Sequence, residues 1–164
     1  MAESGNEADA PGSDEEGTPP LVVHGQYIKD FSFEVPGAPQ IFQELEDSPQ
    51  IHIDVDTKAQ ELHQDIYEVV LTITANATGE GKTAFILELS YAGVFGVNLP
   101  RENHNPVVMI EAPRLLFPFA RSLIADVTRD GGFPPLMLSP IDFAALYQER
   151  QQEQGTPQQE ARET

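Results

Sequence analysis

The chain contains no cysteine, so it can build neither a disulfide framework nor a thiolate-bound metal site. Basic residues are scarce: 9 Lys and Arg stand against 27 Asp and Glu, a net charge of −18 at pH 7. Nucleic acid and anionic membrane surfaces both ask for a basic stripe, so neither is expected as a partner. The same sign favours basic protein surfaces. No apolar run is long enough to span a bilayer, and the first residues lack the basic start and apolar stretch of a signal peptide. The expectation is a cytoplasmic protein with no direct membrane insertion. Its 164 residues suffice for one domain with a real core.

What is present divides into a tail, a body and a tail. Residues 1–20 carry Glu3, Glu7, Asp9, Asp14, Glu15 and Glu16 with no basic residue. Such a segment buries too little apolar surface to offset its ordering entropy and is read as disordered. Residues 152–164 read as a second, polar tail, which leaves 21–151 as the folded domain. Within it, period-two alternation marks four strands. Tyr27, Phe31, Phe33 and Val35 form one apolar series, with Lys29 the exception, opposite Ile28, Asp30, Ser32 and Glu34. Ile51, Ile53 and Val55 alternate with His52, Asp54 and Asp56. Tyr67 to Ala77 and Phe85 to Tyr91 give two more, joined by Gly79-Glu80-Gly81-Lys82. Consecutive alternating strands with a tight turn predict an antiparallel sheet.

Two helices are predicted to follow. The first, over 113–129, sets Leu116, Phe119, Ala120, Leu123, Ile124 and Val127 at helical spacing. Leu115 and Phe117 widen that stripe around most of the girth, so one sheet cannot cover it and a second subunit is expected to. Pro118 should bend the axis. Gly131 and Gly132 suit the left-handed residue that ends a helix, and Pro134-Pro135 an extended crossing. Ser139 is then expected as the N-cap of the second helix, with Pro140 in its first turn. That helix presents Phe143, Leu146 and Tyr147 on one stripe. Strands first and helices last is an α+β plan.

Chemical motifs are weak. Gly79-Glu80-Gly81-Lys82-Thr83 resembles the end of a phosphate loop, but Asn76 stands where the motif needs Gly and strand residues follow the lysine, so a hairpin turn fits better. Asp54 and Asp56 share a strand face, yet lack the further oxygen ligands and spacing of a calcium loop. His24, His52, His63 and His104 show no metal-ligand spacing, and no nucleophile elbow occurs. Glu44, Glu46 and Asp47 read as a solvated loop. No catalytic constellation, metal or cofactor is expected. Two features stay open. Asp30, Glu34, Glu68 and Glu88 share the polar parity of their strands with Ile28, Val70 and Ile86, making an acidic face that is either solvated or a docking surface for a basic partner. Ile41, Phe42, Leu45, Phe133, Leu136 and Met137 lie on irregular segments that either cover the core or line an apolar groove.

Several ordered blocks carry a family resemblance. Tyr27 through Pro39, Asp65-Ile66-Tyr67-Glu68-Val69-Val70-Leu71, Thr83-Ala84-Phe85, Phe117-Pro118-Phe119-Ala120-Arg121 and Gly131-Gly132-Phe133-Pro134-Pro135-Leu136 resemble, in order, SecB, the bacterial protein-export chaperone family, over about residues 25–148. The resemblance implies a homotetramer, a dimer of dimers, that binds unfolded precursor proteins without ATP and delivers them to the SecA ATPase. It places SecA docking on Asp30, Glu34, Ile86 and Glu88. It places the client groove on Phe42, Leu45, Ile51, Ile53, Val55, Met137, Phe143, Leu146 and Tyr147. Leu87, Leu89, Tyr91, Leu116, Phe119, Leu123 and Val127 are expected at subunit interfaces. Many family members have a tryptophan near Leu45 and this chain has none, so the groove should differ in shape there. Two alternatives stand beside this one: a SecB-like chaperone of a toxin–antitoxin pair, and a small-ligand α+β protein.

Overall fold

A computed structural model describes residues 17–155; the remaining parts of the two expected tails lie outside the described residues. The order is β1 (Leu21–Glu34), α1 (Ile41–Glu44), β2 (Gln50–His63), β3 (Ile66–Gly79), β4 (Lys82–Val97), α2 (His104–Pro106), α3 (Ala112–Asp130) and α4 (Phe143–Gly155). A 3₁₀ turn (Arg101–Asn103) precedes α2, and a wider π turn (Val107–Glu111) joins it to α3. The strands form one antiparallel sheet in the order β1-β4-β3-β2. This is the α+β fold expected, and the long helices come last.

Gly79 pairs with Lys82 across a two-residue turn in which Glu80 (φ 53°) and Gly81 (φ 75°) are both left-handed. That geometry matches the natural twist of the flanking strands. Lys82 opens β4, so no helix follows it and the phosphate-loop likeness has no structural counterpart.

Strand β1 departs from simple alternation. Ile28 pairs with Tyr91 and Asp30 with Ser90, which leaves Lys29 as an extra residue in a β-bulge. A bulge inverts the parity of everything before it. Phe31 and Phe33 therefore share the helix-covered face with Ile28, opposite Leu89, Leu87 and Tyr91. Tyr27 falls on the other face. The sequence reading, which ran one parity through the strand, had these two residues exchanged; its lone exception, Lys29, is the bulge itself. A second register shift falls between Val23 and Gly25.

The core lies between the odd-numbered side chains of β3 and β4 and the helix α3. Val69, Leu71, Ile73, Leu87, Leu89 and Phe95 are fully buried, as are Leu116, Ala120 and Ile124 above them. Gly93 lets the helix come close: a Cβ there would stand 3.0 Å from Leu116 Cδ2. Leu87, Leu89 and Leu116, expected at subunit interfaces, are thus enclosed within the single chain and cannot reach a second one. Phe143, expected in the groove, is likewise buried, packed edge-on against Phe117 with ring centroids 6.1 Å apart.

The helix ends need two corrections and bear out one expectation. Gly132 (φ 94°) closes α3: its N–H reaches the Arg129 carbonyl at 3.1 Å, and the Phe133 N–H reaches that of Thr128 at 3.0 Å. This pair of bonds is the Schellman arrangement. The N-cap of α4 is Asp142 rather than Ser139, because the Ala145 N–H donates to Asp142 Oδ1 at 3.0 Å. A carboxylate there accepts a free first-turn amide. The helix then runs to Gly155, four residues into the stretch expected as tail. At the other end Pro19 and Pro20, also placed in a tail, have carbonyls that accept from Asn98 at 3.0 and 2.9 Å.

Truncation of the enclosed side chains should be costly. Leu116→Ala and Phe143→Ala are expected to lower unfolding free energy by about 2–5 kcal/mol each. Met137→Ala, at a residue 60% exposed, should stay within about 0.5 kcal/mol. Urea titrations at one protein concentration check the contrast.

Candidate functional site

Among the described residues, helices cover one face of the sheet. The other is built from even-numbered residues of β2, β3 and β4 together with the part of β1 that follows its bulge. Strand register aligns them in rungs: Glu34–Ile86–Asn76–His52, then Ser32–Glu88–Thr74–Asp54, then Asp30–Ser90–Thr72–Asp56. Asp30, Glu34, Ile86 and Glu88, the four residues expected to dock SecA, therefore sit on two adjacent strands of one face, all exposed. The pairing also brings Asp54 onto this face, where its carboxylate lies 3.3 Å from His52 Nε2. A basic partner would meet carboxylates spread across the sheet's width.

Two carboxylates of this face are spoken for: Asp56, by Arg150 of α4, and Glu68. Glu68 accepts from Lys29 Nζ at 2.5 Å and from the Tyr27 hydroxyl. The lysine bond, then the tyrosine bond, hold the Glu68 carboxyl below the usual carboxylate range. In return the Glu68 bond, aided by burial and the nearby negative charge, pushes the Tyr27 phenol up to about 12. Both donors come from the bulged part of β1. The bulge thus neutralises the end of the acidic face nearest Glu68, and among the described residues Asp30, Glu34 and Glu88 have no ion-pair partner.

The second candidate surface lies on the helix-covered side, beyond the edge of α3. Here Phe42, Phe133, Phe85 and Phe33 form a row with successive ring centroids 5.3, 5.1 and 5.5 Å apart. Beside it opens a cavity of about 220 Å³ lined by Ile51, Phe85, Phe133, Pro135, Leu136 and Met137, among others. Ile51, Ile53 and Val55 share one face of β2, opposite Ala77, Ala75 and Ile73. Of the nine expected groove residues, Phe42, Ile51, Ile53 and Met137 are exposed, while Leu45, Val55, Leu146 and Tyr147 are half-buried. The Tyr147 hydroxyl accepts from Asn105 Nδ2 at 3.0 Å. Phe143, the ninth, is buried.

A third apolar surface runs along the outer side of α3. Phe119 is 51% exposed, stacked on Tyr91 at 6.2 Å, and Leu115 is 45% exposed. Phe119, Tyr91, Ile28 and Leu123 border a shallow cavity of about 340 Å³. Val127 is half-buried on the same helix. Three contacts went unread in the sequence. Arg150 of α4 clamps β2, donating to the Thr57 carbonyl at 2.7 Å and to Asp56. His104, buried, takes the Tyr67 hydroxyl at Nδ1 (2.9 Å) because its Nε2–H must serve the Leu99 carbonyl (2.8 Å). Thr128 is wholly buried under the crossing.

An antiparallel sheet with helices banked on one face is an architecture shared with a solved SecB-like chaperone. A Mycobacterium tuberculosis SecB-like chaperone, solved in complex with a peptide from an antitoxin, overlays with a TM-score of 0.60 over 74% of this chain and 90% of that one; at 14% identity this is a likeness of fold. The sequence goes further, since the family model described as preprotein translocase subunit SecB matches residues 14–154. The chain belongs to the SecB family of protein-export chaperones. It is 53% identical over 145 residues to the protein-export protein SecB of Rhodospirillum rubrum, spanning 85% of this chain and 91% of that one. It is 56% identical over 149 residues to that of Granulibacter bethesdensis, spanning 84% and 87%. Among the described residues no three His, Asp or Glu are placed to hold a metal ion, and no helix is long and apolar enough to cross a membrane.

The Tyr27–Glu68 contact gives a direct titration. A raised phenol contributes stability that is present below its ordinary pKa near 10 and is lost as pH rises towards 12. A depressed carboxyl does the reverse, contributing above its unfolded value and losing that contribution as pH falls through the folded one. Phenolate absorbance should therefore show one tyrosine ionising near 12, and Glu68→Gln should return it towards 10.

Proposed function

We propose that this chain acts in the cytoplasm as an ATP-independent holder of unfolded precursor proteins, and that it hands them to the SecA ATPase. The observation that carries the reading is the separation of two chemically different surfaces by one core. Clients bind the apolar groove at Phe42, Leu45, Ile51, Ile53, Val55, Met137, Leu146 and Tyr147. SecA docks on Asp30, Glu34, Ile86 and Glu88 of the opposite face. Unfolded chains offer scattered apolar side chains, and exposed Met, Ile and Phe receive them with little demand for a particular sequence. Folded proteins have already buried theirs.

Family membership supports the chaperone role, and the acidic rungs support a basic docking partner. The assembly is a dimer of dimers. Its support is the outer stripe of α3, where Leu115 and Phe119, with Ile28 of β1, leave apolar surface uncovered in the single chain. A stable pairing there buries on the order of 1,600 Å². A chaperone devoted to an antitoxin is less well supported, because relatives about half identical to this chain are protein-export proteins.

Light scattering at micromolar concentration should report a tetramer, and a monomer refutes the assembly. Asp30→Asn and Glu88→Lys should weaken SecA binding, flatten its salt dependence and leave client binding intact. Each should alter stability by no more than about 0.5 kcal/mol. A tetrameric Glu88→Lys protein that binds SecA as tightly as the parent across a salt titration overturns the docking assignment.

A further inference from the structure

We propose that Thr128 is the positioning residue of the client groove, holding the crossing segment 133–137 as a rigid wall. Thr128 sits in the last turn of α3 with no exposed surface. Its backbone carbonyl accepts the Phe133 N–H at 3.0 Å. Its hydroxyl oxygen accepts the Leu136 N–H at 2.8 Å, and its own hydrogen goes to the Ile124 carbonyl at 2.8 Å. Between Phe133 and Leu136 stand Pro134 and Pro135, which have no N–H to give. Those two amides are thus the backbone donors available on either side of the diproline, and one residue receives both. The diproline restricts the backbone between these anchors; Thr128 fixes where it lies.

Everything the crossing contributes to the groove hangs from these two bonds. Phe133 is held between Phe42 and Phe85, and Leu136 and Met137 face the cavity shared with Ile51. Valine in place of Thr128 keeps shape and volume but offers no acceptor, so the Leu136 amide loses its partner in a site with little water to replace it. Serine keeps the acceptor and loses only a methyl group. The substitution therefore separates the hydrogen bond from packing. A wall free to move presents Leu136 and Met137 over a range of positions, and a bound chain is then held by contacts that come and go.

This inference rests on the groove being the client site, and the test keeps the two apart. Hydrogen exchange at the Leu136 amide and dissociation of an unfolded precursor are to be measured for Thr128→Val, Thr128→Ser, Ile51→Ala and Met137→Ala. The expected result is loss of Leu136 protection and client release on the order of tenfold faster in Thr128→Val, with both restored towards the parent in Thr128→Ser. SecA binding, on the opposite face, should be unchanged in both. Normal Leu136 protection in Thr128→Val, or lost protection with unchanged release, overturns the proposal. If Ile51→Ala and Met137→Ala also leave release unchanged, the groove assignment falls with it; if they speed release while Thr128→Val does not, only the role of Thr128 falls.

Discussion

The structure depends on one buried contact, the seam between β4 and α3. Strand β4 is paired along both edges, with β1 on one side and β3 on the other. It has no freedom to slip without moving every side chain to the opposite face. Leu87 and Leu89 on β4 lie beneath the layer that holds Leu116, Ala120 and Ile124, all without exposed surface. Burying side chains of this size is worth roughly 1.5–3 kcal/mol each, so the helix is committed to one face. The far face is then bare by construction, and whatever lies on it must suit water or a partner.

From that commitment the two proposed binding surfaces follow. Side chains alternate from Phe85 to Tyr91 of β4, so Ile86 and Glu88 are interleaved with Leu87 and Leu89 and point away from them. An acidic docking surface and an apolar core are the two sides of one strand. The groove instead belongs to what α3 fails to cover, the margin where β2 extends past the helix and the crossing returns over it. Carboxylates on one side and apolar side chains on the other are separated by the thickness of a sheet. Charge changes on the acidic side therefore have no short path to the groove.

The sequence disclosed most of this through period two. From Tyr67 to Ala77 in β3 and from Phe85 to Tyr91 in β4 the alternation is unbroken, and the facing residues of those stretches were legible. In β1 it was legible only in part, because the bulge at Lys29 changes parity in midstrand and leaves no signal except one misplaced lysine. The second half of β2, Lys58-Ala59-Gln60-Glu61-Leu62-His63, has little β-branched character and was not read as strand; pairing with β3 overrides its weak propensity. Acidic residues on the open face could be placed from parity, because those after the bulge keep it. Interface residues could not, since period alone marks Leu116 and Phe119 as apolar without telling which of them faces the sheet. The Asp142 cap and the Arg150 clamp depend on where α4 starts and how it lies against β2, which no local pattern encodes.

Permissive binding and a precise scaffold are compatible here because they reside in different atoms. Side chains of the proposed groove such as Met137 and Ile51 are apolar and exposed, which suits them to adapt to varied apolar partners. The backbone that carries them is held tightly. Gly132 has a left-handed φ of 94°, and a Cβ there would come within 2.9 Å of the Phe42 ring. Only glycine serves both the turn that ends α3 and the close packing of Phe42. That turn delivers the Phe133 amide to Thr128, and the diproline carries the chain on to Leu136. In the function proposed above, side-chain freedom above a pinned backbone would let one groove accept unrelated sequences without paying in disorder of its own frame.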